Sequence, residues 1–140
     1  MEFGELLKQF LIDLQCLFRT KLRHLNLTLP QIILISSIPS NGIDMTSLSK
    51  KIGIDNSTLT RLIRILLKKG IVEKTANPKD KRSIIVSLSP KGESLQLNIE
   101  KEIDLFISAL YKNIPMENRE ELKECLSGFH WAVTKHKLEL

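Results

Sequence analysis

The hydrophobic pattern of this chain changes its period at Gly70, and that change fixes the order of helices and strands around it. Over residues 55–69, apolar side chains recur at steps of three and four residues, which is typical of an amphipathic helix. Residues 71–75 then form a short β-prone run, and residues 83–88 alternate between apolar and polar side chains. The pattern therefore predicts an amphipathic helix followed by a two-stranded hairpin.

A shorter helix precedes the amphipathic one. Thr46 can cap its start because a hydroxyl accepts a free N–H of the first turn, and Gly53 suits the tight turn after it. Asp55 or Asn56 caps the amphipathic helix in the same way, and residues 77–81 form the basic turn of the hairpin. The resulting order is helix, tight turn, helix, strand, basic turn and strand, which is that of a helix-turn-helix with a wing.

Long amphipathic helices flank this module. Residues 2–25 carry one apolar stripe, and Pro30 suits the first turn of the short apolar helix that follows. Ser89 and Pro90 start another long helix as its cap and first residue, and the last helix carries Cys125 on an apolar face that we expect to be buried. The stripe on residues 2–25 has more surface than a small winged domain can cover, so we expect a partner subunit.

Composition excludes several classes of protein. The 140 residues are 42% hydrophobic, which predicts one globular domain rather than a disordered chain. No apolar run approaches the roughly 18 residues of a membrane span, and the N-terminus lacks the regions of a secretory signal. Cys16 and Cys125 lie far apart, which argues against a disulfide framework or a zinc ribbon and favours a cytoplasmic location.

Positive charge is concentrated in about one third of the chain. Residues 40–91 contain eleven basic and four acidic residues, a net charge of +7, whereas the remaining residues have a net charge of −2. A basic module on an acidic frame indicates a polyanionic partner, and a helix of this width fits the major groove of DNA. Charge alone leaves open the alternative of a solvated charged surface.

Six short motifs of the chain resemble the MarR family of bacterial transcription regulators, and the resemblance extends from the first helix to the last. The motifs are the helix-turn-helix segments 45–52, 56–64 and 66–74, the Asp-x-Arg wing motif at 80–82, the Leu-Ser-x-x-Gly start of the following helix at 88–92, and the Leu-Pro-Gln start of the second helix at 29–31.

The resemblance implies a mainly α fold with a small β-hairpin wing, in which a winged helix-turn-helix is flanked by N- and C-terminal dimerisation helices. Residues 1–140 then form a single domain, with residues 30–90 as the DNA-binding lobe and residues 1–28 and 91–140 as the dimerisation lobe. The function it implies is a homodimeric transcription regulator on a pseudo-palindromic operator. We expect a repressor that a small-molecule effector releases.

The candidate DNA contacts lie on the outer face of the amphipathic helix and at the tip of the hairpin. Short polar residues and arginines suit base edges, and cations at the tip suit phosphates or a narrow minor groove. In the family the wing arginine enters the minor groove and the aspartate orients it, and these correspond to Arg82 and Asp80. The same side chains also fit solvated helix residues, helix caps and a turn ion pair. The candidates are Asn56, Ser57, Thr58, Thr60, Arg61 and Arg64 on the helix, Lys79, Asp80, Lys81 and Arg82 on the wing, and Thr46, Ser47 and Lys68 as phosphate contacts.

The sequence gives little support for a redox-sensing cysteine or for a metal site. Cys16 shares a helix face with Arg19 and Arg23, which favours a thiolate and leaves a redox-responsive regulator as an alternative. However, Cys16 does not match the position of the cysteine in peroxide-sensing relatives. His130 and His136 face different ways and have no neighbouring ligands at metal-binding spacing, so we expect no metal site.

Enzymatic activity is not expected either. The sequence contains no Gly-rich phosphate loop, no GxSxG and no HExxH motif, and nothing in it calls for a cofactor. The residues of an effector site cannot be identified from the pattern. A winged helix used only for protein contacts is the remaining alternative.

Overall fold

The computed structural model describes residues 1–140, which form six helices and one small sheet. None of the helices combines the length and the apolarity that crossing a membrane requires. The mainly α fold with a small β wing is confirmed. The helices are α1 (Phe3–Lys21), α2 (Leu29–Ser37), α3 (Met45–Ile52), α4 (Asn56–Lys68), α5 (Pro90–Tyr111) and α6 (Met116–Leu138), and the strands are β1 (Ile43–Asp44), β2 (Val72–Asn77) and β3 (Asp80–Leu88).

The chain divides into two compact units, Met1–Ile103 and Asp104–Leu140. The first unit contains α1 to α4, the sheet and the larger part of α5. The second contains the end of α5 and all of α6. All the residues predicted to contact DNA therefore belong to the first unit.

The core of the first unit forms around the apolar face of α4. Leu59, Ile63 and Leu66 are completely buried, and α4 contacts α2, α3 and β2. Burial of one face at helical spacing leaves the opposite face in solvent, where Arg61 and Arg64 are exposed. The predicted amphipathic helix is confirmed.

The N-terminal helix is shorter than predicted. The stripe predicts a helix over residues 2–25, whereas α1 ends at Lys21 and a 3₁₀ turn occupies Arg23–Leu25. Asn26 then adopts the left-handed conformation, with φ at 56°. The apolar spacing continues through this turn because Leu22 is completely buried, so the pattern alone does not show where the helix stops.

A capping box fixes the start of the second helix. The Oγ1 of Thr28 accepts a hydrogen bond from the N–H of Gln31 at 3.3 Å, and the Oε1 of Gln31 accepts one from the N–H of Thr28 at 3.0 Å. Helix α2 consequently starts at Leu29, with Pro30 in its first turn as predicted.

Asp44, and not Thr46, caps α3. Its carboxylate accepts hydrogen bonds from the N–H of Ser47 at 2.8 Å and from the Oγ of Ser47 at 2.7 Å. The prediction of Thr46 as the cap is wrong because a carboxylate two residues earlier already satisfies the free N–H of the first turn.

The sheet has three strands rather than the two that the hairpin predicts. Strand β1 pairs antiparallel with β3, with Ile43 opposite Val86, so the strand order is β1, β3, β2. The prediction missed β1 because two residues are too few to show an alternation of apolar and polar side chains.

The apolar face of α6 is not buried within the chain. No residue of α6 is buried, and Cys125 is exposed, so the prediction of Cys125 as a core residue is wrong. Apolar spacing identifies a face that favours burial, but it does not say whether the same chain supplies the covering surface.

The first turn of α5 packs closely against the segment that follows α4. As predicted, Ser89 caps α5: its Oγ accepts a hydrogen bond from the N–H of Gly92 at 3.0 Å. Gly92 is buried, and a Cβ built on it would overlap with the carbonyl oxygen of Ile71. A side chain at position 92 would therefore push the segment that contains Ile71 and the first turn of α5 apart.

We predict that Gly92→Ala lowers the free energy of unfolding by about 1–3 kcal/mol, because the added methyl group overpacks this junction. Urea unfolding followed by circular dichroism measures the change. The matched control is Gly128→Ala in α6, where nothing lies within 4 Å of the new Cβ. For Gly128→Ala we expect the free energy of unfolding to rise by up to about 1 kcal/mol, because alanine has a higher helix propensity than glycine. Equal stability of Gly92→Ala and the original chain would contradict the prediction.

Candidate nucleic-acid interface

Both ends of α4 are fixed by side chains. At its start, Asp55 is the cap and accepts a hydrogen bond from the N–H of Thr58 at 2.7 Å. At its end, the Nζ of Lys91 donates to the carbonyl oxygen of Lys69 at 2.7 Å, and the Oγ of Ser89 lies 2.5 Å from the carbonyl oxygen of Gly70 and 3.0 Å from that of Ile71. Since buried residues hold one face and these bonds hold the ends, the exposed face of α4 has a fixed orientation.

Asp55 also organises the hydroxyl groups of the first turn. Its Oδ1 accepts a hydrogen bond from the Oγ of Ser57 at 2.6 Å, and its Oδ2 accepts one from the Oγ1 of Thr58 at 3.0 Å. These donors favour the charged carboxylate and lower the pKa of Asp55 to about 2, with the Ser57 hydroxyl as the largest cause. The sequence predicts a cap here and gives no indication of this second role.

The predicted base-reading residues lie on α4 as expected. Asn56, Ser57, Arg61 and Arg64 are exposed, whereas Thr58 and Thr60 are half-buried. The Oγ1 of Thr60 donates to the carbonyl oxygen of Asn56 at 2.8 Å. The helix thus presents hydroxyl groups near its start and guanidinium groups one and two turns later.

The hairpin of β2 and β3 holds the wing residues. The Oδ1 of Asn77 accepts a hydrogen bond from the N–H of Lys79 at 3.0 Å, and the Oδ1 of Asp80 accepts one from the N–H of Arg82 at 3.0 Å. Asp80 therefore contacts the backbone of Arg82 and shapes the turn. The side chains of Lys79, Lys81 and Arg82 are exposed.

The three predicted phosphate contacts differ in their surroundings. The exposed hydroxyl of Thr46 and the exposed ammonium of Lys68 have no partner within the chain. By contrast, both donors of Ser47 bind Asp44, and the hydrogen bond from the Ser47 hydroxyl is the largest cause that lowers the pKa of that carboxyl.

The cations of α4 and the wing are not neutralised inside the chain. His24 contacts Glu102 at 3.4 Å and His136 contacts Glu139 at 3.7 Å, which are ion pairs only when the imidazole is protonated, and both contacts lie outside this surface. Nor do three or more His, Cys, Asp or Glu side chains come together as a metal site requires. An uncompensated positive surface attracts polyanions. The side chains without an ion pair are those of Arg61, Arg64, Lys68, Lys79, Lys81 and Arg82.

We predict that Ser57→Ala raises the pKa of Asp55 from about 2, because the substitution removes the largest cause of its lowering. The lowered pKa stabilises the fold above the ordinary value near 3.8, and this contribution is lost as the pH falls towards 2. Ser57→Ala should therefore be less stable than the original chain at pH 7 but not below pH 2. Carboxyl ¹³C NMR titration gives the pKa, and urea unfolding gives the stability.

The control for this titration is Thr60→Val, whose hydroxyl binds the backbone of Asn56 and not Asp55. It should leave the pKa of Asp55 at about 2. An unchanged pKa in Ser57→Ala would show that the hydroxyl of Ser57 does not stabilise the carboxylate.

Comparison with known proteins agrees with this geometry. A model of the MarR family matches residues 27–84. The HTH-type transcriptional regulator SarZ of Staphylococcus epidermidis is 30% identical over 105 residues, which are 75% of this chain and 68% of SarZ. The multiple antibiotic resistance protein MarR of Salmonella typhimurium is 36% identical over 80 residues, which are 56% of each chain. The match thus spans little more than half the length of that relative.

A solved structure shows the same fold over almost the whole chain. The apo form of wild-type MarR from E. coli has a TM-score of 0.84 and 26% sequence identity, and the match covers 92% of this chain and 96% of that one. Members of this family are transcription regulators rather than enzymes. The fold is shared along almost the whole chain, and the match to SarZ covers 68% of that relative. The chain therefore belongs to the MarR family.

Proposed function

We propose that this chain is a homodimeric transcription regulator that binds double-stranded DNA at a pseudo-palindromic operator. The observation that carries the proposal is the set of exposed, unpaired cations on α4 and the wing. An α-helix fits the major groove, where each base pair presents a distinct pattern of donors and acceptors. The residues that we propose to face base edges are Asn56, Ser57, Thr58, Thr60, Arg61 and Arg64.

The wing contributes a second contact. Lys79, Lys81 and Arg82 extend from a narrow hairpin, and cations in such a position follow phosphates or enter a narrow minor groove. Asp80 serves this contact indirectly, because its bond to the N–H of Arg82 fixes the backbone at the tip.

Phosphate contacts position the helix on the duplex without selecting a sequence. We propose Thr46 and Lys68 for this role because both are exposed and unpaired. Ser47 would first have to release Asp44, which holds both of its donors.

The dimer follows from apolar surface that the single chain leaves in solvent. On α1, Phe10 is 47% exposed and no residue is buried, and on α6, Trp131 is 63% exposed and again no residue is buried. A second copy that covers such faces removes them from water. Residues 1–28 and 91–140 are thus the proposed dimerisation lobe, with residues 30–90 as the DNA-binding lobe.

Repression with release by a small-molecule effector is the finer part of the proposal. A cavity of about 390 Å³ in the first unit supports it, since this volume is in the range of ligand pockets. Its lining is mainly apolar and includes Leu14, Phe18 and Ile32.

We predict that Arg82→Ala weakens binding to the preferred duplex by about tenfold to hundredfold, because it removes an unpaired cation from the wing. The preferred duplex is obtained by selection from a random pool, and affinity is measured by fluorescence anisotropy. For the original dimer, the logarithm of the association constant should fall with the logarithm of the salt concentration with a slope of about −9, if each subunit neutralises about five phosphates.

The matched control is Lys101→Ala, which removes an exposed cation of α5 outside the proposed surface and should leave the affinity unchanged. If Arg61, Arg64 and Arg82 can all be replaced without loss of affinity, the chain is a protein-interaction module and the proposal fails.

We predict that Phe10→Glu weakens dimerisation by about tenfold or more, because the exposed ring then brings a charge into an apolar interface. Sedimentation equilibrium should show twice the 16.0 kDa chain mass for the original protein and an increased monomer fraction for the variant. Gln9→Glu, at the adjacent exposed position, is the control for added charge. A monomeric original protein would rule out the dimer.

A further inference from the structure

We infer that the hydroxyl groups of Ser57, Thr58 and Thr60 act only as hydrogen-bond acceptors towards DNA, and so select adenine or cytosine at the bases they face. The inference rests on the proposed function and deepens it, since it names the base chemistry that the start of α4 recognises. It follows from the direction of three hydrogen bonds within the chain.

The partner of two of these hydroxyl groups can only accept. The Oγ of Ser57 and the Oγ1 of Thr58 both contact the carboxylate of Asp55, at 2.6 and 3.0 Å. Asp55 is ionised at neutral pH, as an aspartate with an ordinary pKa near 3.8 would be, and its hydrogen bonds lower that pKa further, to about 2. An ionised carboxylate has no proton to donate, so each hydroxyl must supply its own.

A backbone carbonyl oxygen orients the third hydroxyl group, so that it too donates its proton within the chain. The Oγ1 of Thr60 contacts the carbonyl oxygen of Asn56 at 2.8 Å, and a carbonyl oxygen cannot donate. All three hydroxyl protons on the first turns of α4 are therefore directed at acceptors of the same chain, which leaves lone pairs for an external partner.

The edges of the bases distinguish donors from acceptors. In the major groove, adenine N6 and cytosine N4 carry amino groups that donate, whereas guanine O6 and N7 and thymine O4 accept. A hydroxyl group that can only accept a hydrogen bond forms one with these amino groups. Against guanine O6 or N7 or thymine O4, its lone pairs face the lone pairs of another acceptor, and the two repel each other. Phosphate oxygens are also acceptors, so these hydroxyl groups suit the bases rather than the backbone.

The guanidinium groups of α4 have the opposite character. The guanidinium groups of Arg61 and Arg64 can only donate hydrogen bonds. Guanine O6 and N7 are two neighbouring acceptors, and one guanidinium group can bind both at once. Apart from Asn56, whose amide both donates and accepts, the exposed face of α4 thus changes from hydroxyl acceptors near its start to guanidinium donors further along. This order predicts amino-bearing bases opposite the first turn and guanine opposite the arginines.

The internal bonds are strong enough to persist in a complex. The bonds from Ser57 and Thr58 to Asp55 are charge-assisted, and such bonds are about twice as strong as bonds between neutral groups. A neutral base oxygen offers the hydroxyl proton a weaker partner than the carboxylate does. The hydroxyl groups therefore keep their orientation when a base approaches.

Two substitutions test the inference in the dimeric full chain, with base preferences measured by selection from random duplexes and sequencing. Thr58→Val keeps the shape of the side chain and removes the hydroxyl. We expect it to lower the preference for adenine or cytosine at one position of each half-site by about fivefold, the effect of one hydrogen bond.

Asp55→Asn tests the direction of the hydrogen bond between the Oγ1 of Thr58 and the side chain of residue 55. Asparagine caps helices as well as aspartate does, and its oxygen can keep the bond to the N–H of Thr58. Its Nδ2 then faces the Oγ1 of Thr58 and donates to it, which frees the hydroxyl proton. We expect the preference at the Thr58-sensitive position to change to guanine or thymine, while circular dichroism shows that the variant remains folded at a lower thermal unfolding midpoint, because the charge-assisted bonds of the carboxylate are lost.

The matched control is Asp44→Asn, which removes the same charge at the cap of α3, where the carboxylate holds Ser47 in the same way. It should change affinity without changing base preference. The inference is overturned if the original chain selects guanine or thymine at the Thr58-sensitive position, if Thr58→Val changes no position, or if Asp55→Asn leaves every preference as it was. If the original chain selects no sequence at all, the proposed function fails and the inference with it.

Discussion

The burial of one face of α4 is the constraint on which the rest of the structure depends. Leu59, Ile63 and Leu66 are completely buried against the elements of the first unit, so the polar face of the same helix cannot turn inward. Each such side chain contributes about 1.5–3 kcal/mol when fully removed from water. The hydrophobic interaction thereby sets which side chains of α4 face the solvent, although none of the buried residues is exposed itself.

Polar interactions refine what burial establishes. Asp55 fixes the start of α4 and the hydroxyl groups beside it, whereas Lys91 and Ser89 fix its end against the first turn of α5. Arg61 and Arg64, by contrast, have no partner within the chain. The same short helix therefore combines side chains that are held by hydrogen bonds within the chain with cationic side chains that have no such partner.

Much of this architecture could be predicted because its causes are local. Apolar spacing gives α4, alternation gives the hairpin, and Ser89 with Pro90 gives the start of α5, since each depends on residues close in sequence. The exposure of Cys125 could not be predicted, because apolar spacing does not show whether the same chain supplies a surface that covers α6. Nor could the sequence predict that Asp55 orients the neighbouring hydroxyl groups. A helix cap can be recognised in a sequence, but the direction of side-chain hydrogen bonds requires coordinates.

The composition of the segment around α4 has a consequence for its behaviour in acid. Residues 40–91 contain no histidine, cysteine or tyrosine, and the pKa of Asp55 lies far below the physiological range. Histidine is the side chain whose ordinary pKa places its charge change between pH 5 and 8. With none on this segment, no side chain in it has an ordinary pKa within that interval, so its positive charge does not depend on a proton gained or lost there.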